Sequence, residues 1–444
     1  MSRRYFGTDG IRGRVGAEPM TVDFALRLAS AAAQVIAPNG GKVLIGKDTR
    51  VSGYMFESAL EAGFVAAGVD VLLTGPLPTP AIAYLTNTTS SDFGIVISAS
   101  HNPYFDNGIK FFDSEGRKLS DDTEAAIEAL IDEPPRTRDS SSLGRATTYT
   151  TARQDYMDFC RKSLPDGIDL DGLKIVVDAS HGAAYKVAPR LMADLGADVV
   201  PVGCSPNGRN INDEVGSTRP DLLKLTVSGV RAHVGVALDG DGDRVIMVDE
   251  RGEVVDGDGL LYILAADRVR EKALKGPVVG TVMSNLGLEL ALRDLGIEFH
   301  RAKVGDRQVL AMLQERGGIL GGETSGHLLC LDKTTTGDGL ITALQVLAVM
   351  RRNGKSLSEL VSGMPRFPQT LLNVRVEQRV DVEGNAKIGA AVEAAESRLA
   401  GRGRVVLRAS GTEPVVRVMV EGEDEGLVRS LAAELADSVR AAVN

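Results

Sequence analysis

One supersecondary unit recurs three times along the chain, and this repetition restricts the fold more than any other feature. Each copy consists of an apolar strand, a loop, a helix that ends at a glycine, and a second apolar strand. The copies begin at KVLIGKDTR (42–50), LKIVVDAS (173–180) and GPVVGTVMSN (276–285). Their helices end at Gly68, Gly196 and Gly296, where glycine permits the left-handed cap conformation. Apolar strands that alternate with amphipathic helices indicate sheets covered on both faces.

The rest of the chain supplies linkers and a fourth unit. A polar stretch rich in proline and serine (132–150) and the prolines of MPRFPQT (364–370) are typical of linkers. The tail, from LLNVRVEQ (371–378) onwards, predicts a small sheet with helices. We therefore predict an α/β protein with three similar mixed α/β domains and a smaller C-terminal α+β domain around a central cleft. The predicted domains I to IV span residues 1–150, 151–253, 254–367 and 368–444.

The composition excludes several classes of function. The chain has 444 residues, a net charge of −10, 4% aromatic residues and no tryptophan, which argues against nucleic acid as a partner. The N-terminus lacks the apolar run of a signal peptide, and the apolar stretch 341–350 is too short to span a bilayer. We therefore expect no membrane partner and a cytoplasmic location. The three cysteines are widely separated and odd in number, as expected for reduced thiols.

The stretch VGVALDGDGDRVIMVDE (234–250) places Asp239, Asp241 and Asp243 between two apolar strands. Like charges about 4 Å apart repel by roughly 4 kcal/mol at an effective dielectric constant of about 20. Such a loop is stable when it is splayed into water or when it holds a cation, and oxygen ligands favour Mg²⁺ or Ca²⁺ over zinc. An EF-hand does not fit, because Arg244 stands where that motif requires glycine. This arginine suits a phosphate oxygen instead.

A candidate nucleophile lies in SASHNP (98–103), directly after a strand-like run. Ser100 is either a nucleophile or a turn residue, because serine needs a base, a metal or a charged environment to react, and Ser, Asn and Pro are common in turns. Ala179-Ser180-His181 repeats the tripeptide Ala99-Ser100-His101. The tripeptide by itself therefore does not identify the nucleophile.

Two further loops carry the chemistry of ligand binding. In GGILGGETSGHLLCLDKTTTGDG (317–339), glycines surround Glu323 and Ser325, which suit hydrogen bonds to sugar hydroxyl groups. A plain glycine-rich turn has the same composition. In VVLRASGTEPVVRV (405–418), the amides of a Ser-Gly-Thr turn predict an anion-binding nest with arginines beside it. The predicted phosphate-binding residues are Arg408, Ser410, Gly411, Thr412 and Arg417.

These four loops, one in each domain, resemble those of the α-D-phosphohexomutase superfamily along essentially the whole chain. RYFGTDGIRG (4–13) and LDKTTTGDG (331–339) most resemble the bacterial branch that acts on glucosamine phosphate. The phosphomannomutase/phosphoglucomutase branch shares the four loops but lacks LDKTTTGDG. Thr324 is the departure from the pattern, and it stands at a position that varies within the family.

The resemblance implies a role for each matching residue. Ser100 matches the phosphoserine that carries the phosphoryl group, and Asp239, Asp241 and Asp243 match the Mg²⁺ ligands, to which the phosphate on Ser100 adds an oxygen. The predicted substrate contacts are Arg244, Gly305, Asp306, Glu323, Ser325 and the phosphate-binding residues of domain IV. The residues at family positions near the reacting phosphate are Arg12, His101, Lys110 and His327. Which of these four is the general acid–base stays open.

The activity implied is that of an isomerase that interconverts glucosamine 6-phosphate and glucosamine 1-phosphate. A phosphorylated Ser100 and a glucosamine 1,6-bisphosphate intermediate would take part, with hexose 1,6-bisphosphate as the activator. The resemblance also implies a homodimer and a role in supplying UDP-N-acetylglucosamine for cell-wall synthesis. The alternatives are a mannose or glucose phosphate mutase, a phosphosugar phosphohydrolase, and a protein that binds sugar phosphate or Ca²⁺ without catalysis.

Overall fold

The computed structural model describes residues 4–376, 385–409 and 415–443. Four sheets follow one another along these residues, of six, five, four and three strands. Helices connect some of the successive strands in each of them, and turns connect the others. The predicted fold class, three mixed α/β domains followed by a smaller α+β domain, is confirmed.

Domain I contains the six-stranded sheet, with the order β1-β5-β4-β2-β3-β6. Its strands are β1 (Ile11–Arg14), β2 (Gly41–Lys47), β3 (Val69–Pro76), β4 (Phe93–Ile97), β5 (Asp106–Asp113) and β6 (Ala146–Thr148). Its helices are α1 (Val22–Ile36), α2 (Val51–Ala66), α3 (Thr79–Thr88) and α4 (Asp121–Glu128). The first predicted repeat corresponds to β2, α2 and β3.

Domain II contains the five-stranded sheet, with the order β11-β10-β9-β7-β8. Its helices are α5 (Ala152–Lys162), α6 (Val187–Asp194) and α7 (Asp221–Val230). Its strands are β7 (Lys174–Asp178), β8 (Asp198–Val202), β9 (Val234–Leu238), β10 (Val245–Val248) and β11 (Val254–Val255). The second predicted repeat corresponds to β7, α6 and β8.

Domain III contains the four-stranded sheet, with the order β13-β12-β14-β15. Its helices are α8 (Gly257–Arg270), α9 (Leu286–Asp294), α10 (Asp306–Arg316), α11 (Gly339–Asn353) and α12 (Leu357–Val361). Its strands are β12 (Val278–Thr281), β13 (Phe299–Ala302), β14 (Leu320–Gly322) and β15 (Leu328–Cys330). The third predicted repeat corresponds to β12, α9 and β13.

Domain IV is smaller and its sheet is antiparallel, with the order β16-β18-β17. Its elements are β16 (Gln369–Arg375), α13 (Ala386–Leu399), β17 (Gly403–Ala409), β18 (Val415–Gly422) and α14 (Glu425–Val443). Arg404 of β17 joins this domain to domain III. Its guanidinium donates hydrogen bonds to the backbone oxygens of Val282, at 2.9 Å, and Ser284, at 2.5 Å.

The first three domains share one arrangement of four strands. In each domain the first strand of the repeat lies between the second and the third and runs parallel to both, and an antiparallel fourth strand pairs with the third. The turn from the third strand to the fourth therefore occupies an equivalent place in each domain. These turns contain residues 98–105, 239–244 and 323–327, which include three of the four loops predicted to carry the chemistry.

Domains I, II and III share one continuous apolar core. Leu44 of β2, Ile175 of β7 and Leu344 of α11 belong to the same cluster of buried side chains. Domain IV has a separate core, which includes Val418 and Leu431. Within the residues that the structure describes, no helix combines the length and apolar character needed to cross a membrane.

The glycines that end the repeat helices adopt the left-handed conformation that the sequence predicts. Gly68, Gly196 and Gly296 have φ angles of +84°, +100° and +72°. A Cβ atom built on Gly296 would have no neighbour within 4 Å, so only the backbone conformation requires glycine there. Gly229, inside helix α7, also has open space around it but does not have a positive φ angle.

This pair of glycines allows a test in which side-chain packing does not interfere. We expect Gly296→Ala to lower the free energy of unfolding by about 1–2 kcal/mol, because an L-residue is strained in the left-handed region. Gly229→Ala should raise it by about 0.5–1 kcal/mol, because alanine favours the helix interior. Urea-induced unfolding followed by circular dichroism measures both, and equal effects of the two substitutions would contradict the argument.

Candidate active site

Ser100 lies in the turn after β4 and faces the aspartate loop of domain II. Its side chain is buried and its φ angle is +51°. The Ser100 hydroxyl donates a hydrogen bond to Asp239 Oδ2 at 2.5 Å, and His101 Nδ1 lies 3.4 Å from Ser100 Oγ. Burial, together with the charges of Arg244 and Arg12, lowers the pKa of His101 to about 4. The imidazole is therefore neutral at pH 7.

The three aspartates converge in the turn between β9 and β10. Carboxylate oxygens of Asp239, Asp241 and Asp243 all lie within 4.8 Å of one another, and all three residues are buried. Burial excludes the alternative of an acidic turn splayed into water. One oxygen each of Asp241 and Asp243 (Oδ1) is buried without a hydrogen-bond partner among the described residues. Buried carboxylates with unsatisfied oxygens fit a site for a hard cation.

Electrostatic repulsion in this cluster acts most strongly on Asp239. Burial, followed by the charges of Asp243 and Asp241, raises the pKa of Asp239 well above its usual value. Burial also opposes ionisation of Asp243, but Lys110 and His327 hold its pKa below the usual range. Burial and repulsion therefore oppose the ionisation of Asp239, and a bound cation would offset both.

Lys110, on β5, is the cation closest to the aspartates. Its Nζ lies 2.7 Å from Asp241 Oδ2, 2.9 Å from Asp9 Oδ2 and 3.7 Å from Asp243 Oδ2. Burial disfavours the charged ammonium, but the carboxylates of Asp241 and Asp9 outweigh burial and raise the pKa of Lys110. Lys118 contacts Asp9 at 2.7 Å and also pairs with Asp306, so the ion pairs extend from domain I to domain III.

His327 and Arg244 complete the charged surroundings of Asp243. His327 Nδ1 lies 3.6 Å from Asp243 Oδ2, and His327 Nε2 lies 3.7 Å from Asp306 Oδ2. Burial works against protonation of His327, but the Asp243 carboxylate outweighs it and raises the pKa to about 9. Arg244 Nε lies 3.8 Å from Asp243 Oδ1. Both side chains are therefore cations at neutral pH.

A cavity of about 620 Å³ opens beside this cluster. Residues of domains I, II and III line it, and Glu323 links two of its loops because Glu323 Oε1 accepts a hydrogen bond from the Gly305 amide at 3.0 Å. The predicted site residues in its wall are Arg12, Asp243, Arg244, Gly305, Asp306, Glu323, Ser325 and His327. The cavity thus brings the predicted sugar loop to the edge of the aspartate cluster.

The other predicted residues that the structure describes are not among those that line this cavity. Arg408 and Arg417 stand opposite each other on β17 and β18. Burial and the charge of Arg417 lower the pKa of Arg408, while the nearby Glu323 opposes this change. Ser410, Gly411 and Thr412 lie outside the described residues, and so does the turn that they were predicted to form.

Several residues of the site do not follow from the local sequence patterns. Asp9 lies within the stretch RYFGTDGIRG, yet only its surroundings show that it pairs with Lys110 and Lys118. No sequence motif indicates that Lys118 belongs to the site. Thr79, at the start of α3, donates a hydrogen bond to Asp241 Oδ2 at 2.6 Å. A Thr-Pro pair at the start of a helix signals a helix N-terminus, but it does not indicate a contact with another domain.

The stretch LDKTTTGDG (331–339) makes contacts between domains. Asp338 caps α11 by accepting a hydrogen bond from the Ile341 amide at 3.0 Å, and it also accepts one from the Tyr156 hydroxyl of domain II at 2.9 Å. Thr335 donates a hydrogen bond to the Gly116 carbonyl of domain I at 2.8 Å. None of these nine residues is among those that line the described cavity.

Comparison with known proteins gives matches along the whole chain. Family models described as phosphoglucomutase/phosphomannomutase domains I, II, III and the C-terminal domain match residues 3–137, 154–252, 256–367 and 371–438. A phosphoglucosamine mutase of Thioalkalivibrio sulfidiphilus is 58% identical over 444 residues, which covers 99% of this chain and 98% of that protein.

Solved structures agree with this result. A phosphoglucomutase/phosphomannomutase family protein from Burkholderia thailandensis has a TM-score of 0.82 at 26% identity, covering 100% of this chain and 98% of that chain. An N-acetylphosphoglucosamine mutase from Aspergillus fumigatus, in complex with GlcNAc-6P and magnesium, shares the fold with a TM-score of 0.72 at 19% identity, covering 100% and 96%. The four domain matches and the full-length relative confirm the resemblance seen in the sequence, and the chain belongs to the phosphoglucomutase/phosphomannomutase family, the α-D-phosphohexomutases.

Proposed function

We propose that the chain interconverts glucosamine 6-phosphate and glucosamine 1-phosphate, the activity named for its relative at 58% identity. The enzyme is an isomerase that works through a phosphorylated serine and a glucosamine 1,6-bisphosphate intermediate. The observation that carries this proposal is the 2.5 Å contact between the Ser100 hydroxyl and Asp239, within a buried cluster of three aspartates. A serine that lies against three carboxylates able to hold a metal ion suits the role of a phosphoryl carrier.

The charges around Ser100 support a phosphorylated state. Phosphoserine carries a charge of about −1.5 to −2 at neutral pH. Beside three carboxylates this charge requires compensation, and Lys110, Arg244 and Arg12 are the nearby cations. Phosphoryl transfer depends mainly on positioning and on stabilisation of the charge that develops on the phosphoryl oxygens. This set of residues therefore suits a phosphoryl carrier.

The same residues would hold Mg²⁺. Asp239, Asp241 and Asp243 offer only oxygen atoms, and unsatisfied buried oxygens of Asp241 and Asp243 are available for coordination. The phosphate on Ser100 would supply a further oxygen. When bound, the ion neutralises charge on the transferring phosphoryl group. Lys110 and Arg244 remain beside the carboxylates and orient them.

In the proposed cycle, Ser100 gives its phosphoryl group to the 1-hydroxyl of glucosamine 6-phosphate and takes back the phosphate of position 6. The bisphosphate must turn end for end between these steps, so a second site has to hold the phosphate that does not react. Arg408 and Arg417, together with Ser410, Gly411 and Thr412, suit this role by charge. Glu323, Ser325, Gly305 and Asp306 would contact the sugar. The general acid–base that takes the proton of the attacking hydroxyl would be one of the four residues near the reacting phosphate, Arg12, His101, Lys110 and His327.

Other parts of the proposal rest on membership of the family. Hexose 1,6-bisphosphate would phosphorylate Ser100 and activate the enzyme. The protein would be a cytoplasmic homodimer, and its product would supply UDP-N-acetylglucosamine for cell-wall synthesis. The alternative substrates, mannose and glucose phosphates, are less favoured because the full-length relative at 58% identity is named for glucosamine.

Removal of the carrier hydroxyl tests the mechanism. We expect Ser100→Ala to lower mutase kcat by at least about 1,000-fold, because no other group replaces a covalent carrier. Ser114→Ala, at an exposed serine of the same domain, should keep full activity. A coupled assay of glucosamine 1-phosphate formation measures both, with circular dichroism as the check of folding. Substantial turnover by a folded Ser100→Ala protein would refute the carrier role.

The metal site can be tested without an assay of activity. In the presence of EDTA, we expect Asp239→Asn to be at least as thermally stable as the unsubstituted protein, because it removes one of three mutually repelling carboxylates. Added Mg²⁺ should raise the Tm of the unsubstituted protein and of a control, Asp166→Asn, but not that of Asp239→Asn. The same Mg²⁺ shift in all three proteins would place the ion elsewhere.

The identity of the sugar is tested by comparing kcat/KM for the 6-phosphates of glucosamine, glucose and mannose, with Mg²⁺ and trace hexose 1,6-bisphosphate. We expect a preference for glucosamine 6-phosphate of at least about tenfold. A preference for glucose or mannose would keep the carrier mechanism and reject the proposed substrate. Release of free phosphate at the rate of sugar turnover would instead indicate a phosphohydrolase, since water would then accept the group from Ser100.

A further inference from the structure

The two Ala-Ser-His tripeptides occupy different places in their domains. Residues 99–101 follow β4, the third strand of the four-strand arrangement in domain I. Residues 179–181 follow β7, the first strand of the same arrangement in domain II. The position in domain I that corresponds to Ser180 is Arg50, after β2. In each case an aspartate two residues earlier accepts a hydrogen bond from the backbone amide at 2.9 Å, Asp48 from Arg50 and Asp178 from Ser180. The second tripeptide is therefore not a copy of the loop that holds Ser100 (residues 98–103, the proposed carrier loop).

Ser180 holds the side chain of Asn212. The Ser180 hydroxyl donates a hydrogen bond to Asn212 Oδ1 at 2.9 Å. The backbone amide of Asn212 donates one to the Ser180 carbonyl oxygen, also at 2.9 Å. Gly216 makes room for this contact, because a Cβ atom there would lie only 1.9 Å from Ser180 Oγ. With its oxygen fixed in this way, Asn212 can point its Nδ2 group in one direction only.

That direction is towards the carrier loop of domain I. Asn212 Nδ2 donates hydrogen bonds to the carbonyl oxygens of Ser100, at 2.9 Å, and of Asn102, at 3.0 Å. The fully buried guanidinium of Arg50 donates through Nη2 to the same two oxygens, at 2.9 and 2.8 Å. The residues at equivalent places in the two repeats thus act on the same peptide groups, Arg50 directly and Ser180 through Asn212.

This double contact bears on the reacting serine because Ser100 has a strained backbone. A non-glycine residue in the left-handed region costs about 1–2 kcal/mol, and it persists only where its surroundings fix it. The Ser100 amide donates to Ser98 Oγ at 2.9 Å, and the Ser100 carbonyl accepts from Arg50 and Asn212. With both peptide groups fixed, the direction of the Cα–Cβ bond is fixed too, and the hydroxyl lies 2.5 Å from Asp239.

We propose that Asn212 is a positioning residue for phosphoryl transfer at Ser100, and that the second Ala-Ser-His tripeptide serves to hold it. The proposal rests on the proposed function, because it assigns the reacting oxygen to Ser100. Asn212 does not touch the reacting atoms. It acts from domain II on the backbone of domain I, and it couples the geometry of the carrier to the domain that supplies the aspartates.

Asn212→Asp provides the sharpest test, because the substitution keeps the shape of the side chain and its oxygen for Ser180 but cannot donate to the two carbonyl groups. We expect kcat to fall by about 10- to 100-fold, the usual consequence of misplacing a reacting group by about 1 Å. The KM for the sugar phosphate should stay within about threefold. Phosphorylation of Ser100 by glucose 1,6-bisphosphate, followed by intact-protein mass, should slow by the same factor as kcat.

Asn207→Asp is the matched control, since Asn207 is an exposed residue of the preceding loop whose hydrogen bonds, within residues 4–376, are to its neighbours Arg209 and Asn210. Its kcat should be unchanged. Asn212→Ala removes the same donors without adding a charge, and Arg50 still bonds both carbonyl oxygens in this variant. Its kcat should also fall, and its Tm shows whether the fold is intact.

A double-mutant cycle tests the part played by Ser180. Ser180→Ala alone should lower kcat by about fivefold, as expected for loss of one hydrogen bond. In the Asn212→Ala background it should have no further effect, because Ser180 acts through Asn212. Phosphopeptide mapping should find phosphate on Ser100 and none on Ser180.

Each result has a definite consequence for the proposal. An unchanged kcat in both Asn212 variants, independent effects of the two substitutions, or phosphate on Ser180 would overturn it. Absence of mutase turnover in the unsubstituted protein would overturn the proposed function instead. In that case the rate of Ser100 phosphorylation would still report on Asn212, so the two failures can be distinguished.

Discussion

The rest of the site depends on the buried ion pair between Lys110 of domain I and Asp241 of domain II. The two charged atoms lie 2.7 Å apart, and both side chains are almost completely buried. Breaking such a pair leaves an uncompensated buried charge, which typically costs about 3–5 kcal/mol. The pair therefore fixes the two domains in register, and this register places Ser100 beside Asp239. Asp241 Oδ1 and Asp243 Oδ1 keep no hydrogen-bond partner among the described residues, and burial and repulsion oppose the ionisation of Asp239, so the cluster suits a further cation.

The repeated fold explains how the reactive groups come together. The turns that hold Ser100, the three aspartates, and Glu323 with Ser325 occupy the same place of the same four-stranded plan in three successive domains. Since the three domains share one apolar core, a single arrangement of the repeats brings the three turns together: the Ser100 hydroxyl contacts Asp239, and the other two turns line one cavity. Different chemistry then requires only different residues in each turn: a serine in the first, aspartates in the second, and a glutamate with a serine in the third.

Sequence alone predicted the features that depend on neighbours along the chain. The repeat strands, their helices and the glycines at 68, 196 and 296 follow from local periodicity and from backbone conformation, and the structure confirms them. Crowding of Asp239, Asp241 and Asp243 could also be inferred, because a single glycine separates each aspartate from the next. In contrast, Asp9 and Lys118 become part of the site only through contacts with distant residues. No local pattern records such contacts.

The two Ala-Ser-His tripeptides show this limit most clearly. Their letters are identical, and local reasoning gives no ground to separate Ser100 from Ser180. Topology separates them, because one follows the third strand of a repeat and the other follows the first. The same topology gives Arg50, which no motif indicated, a role beside the carrier loop. Residues that shape a reacting group through its backbone contribute by position in the fold, so their side chains need not form a recognisable pattern.

Residues of opposite charge are concentrated at the two ends of the proposed substrate site. In domain II, burial and repulsion from Asp243 and Asp241 raise the pKa of Asp239. In domain IV, burial and the facing Arg417 lower the pKa of Arg408, whose buried Nε has no hydrogen-bond partner among the described residues. Like charges on directly opposed strand residues are destabilising unless a counter-ion binds between them. A metal ion at one end and the substrate's distal phosphate at the other would relieve both conflicts. Because domain IV has its own core, neutralising its arginines by a phosphate held over domains I to III would favour closure of the cleft around a molecule with two anionic ends.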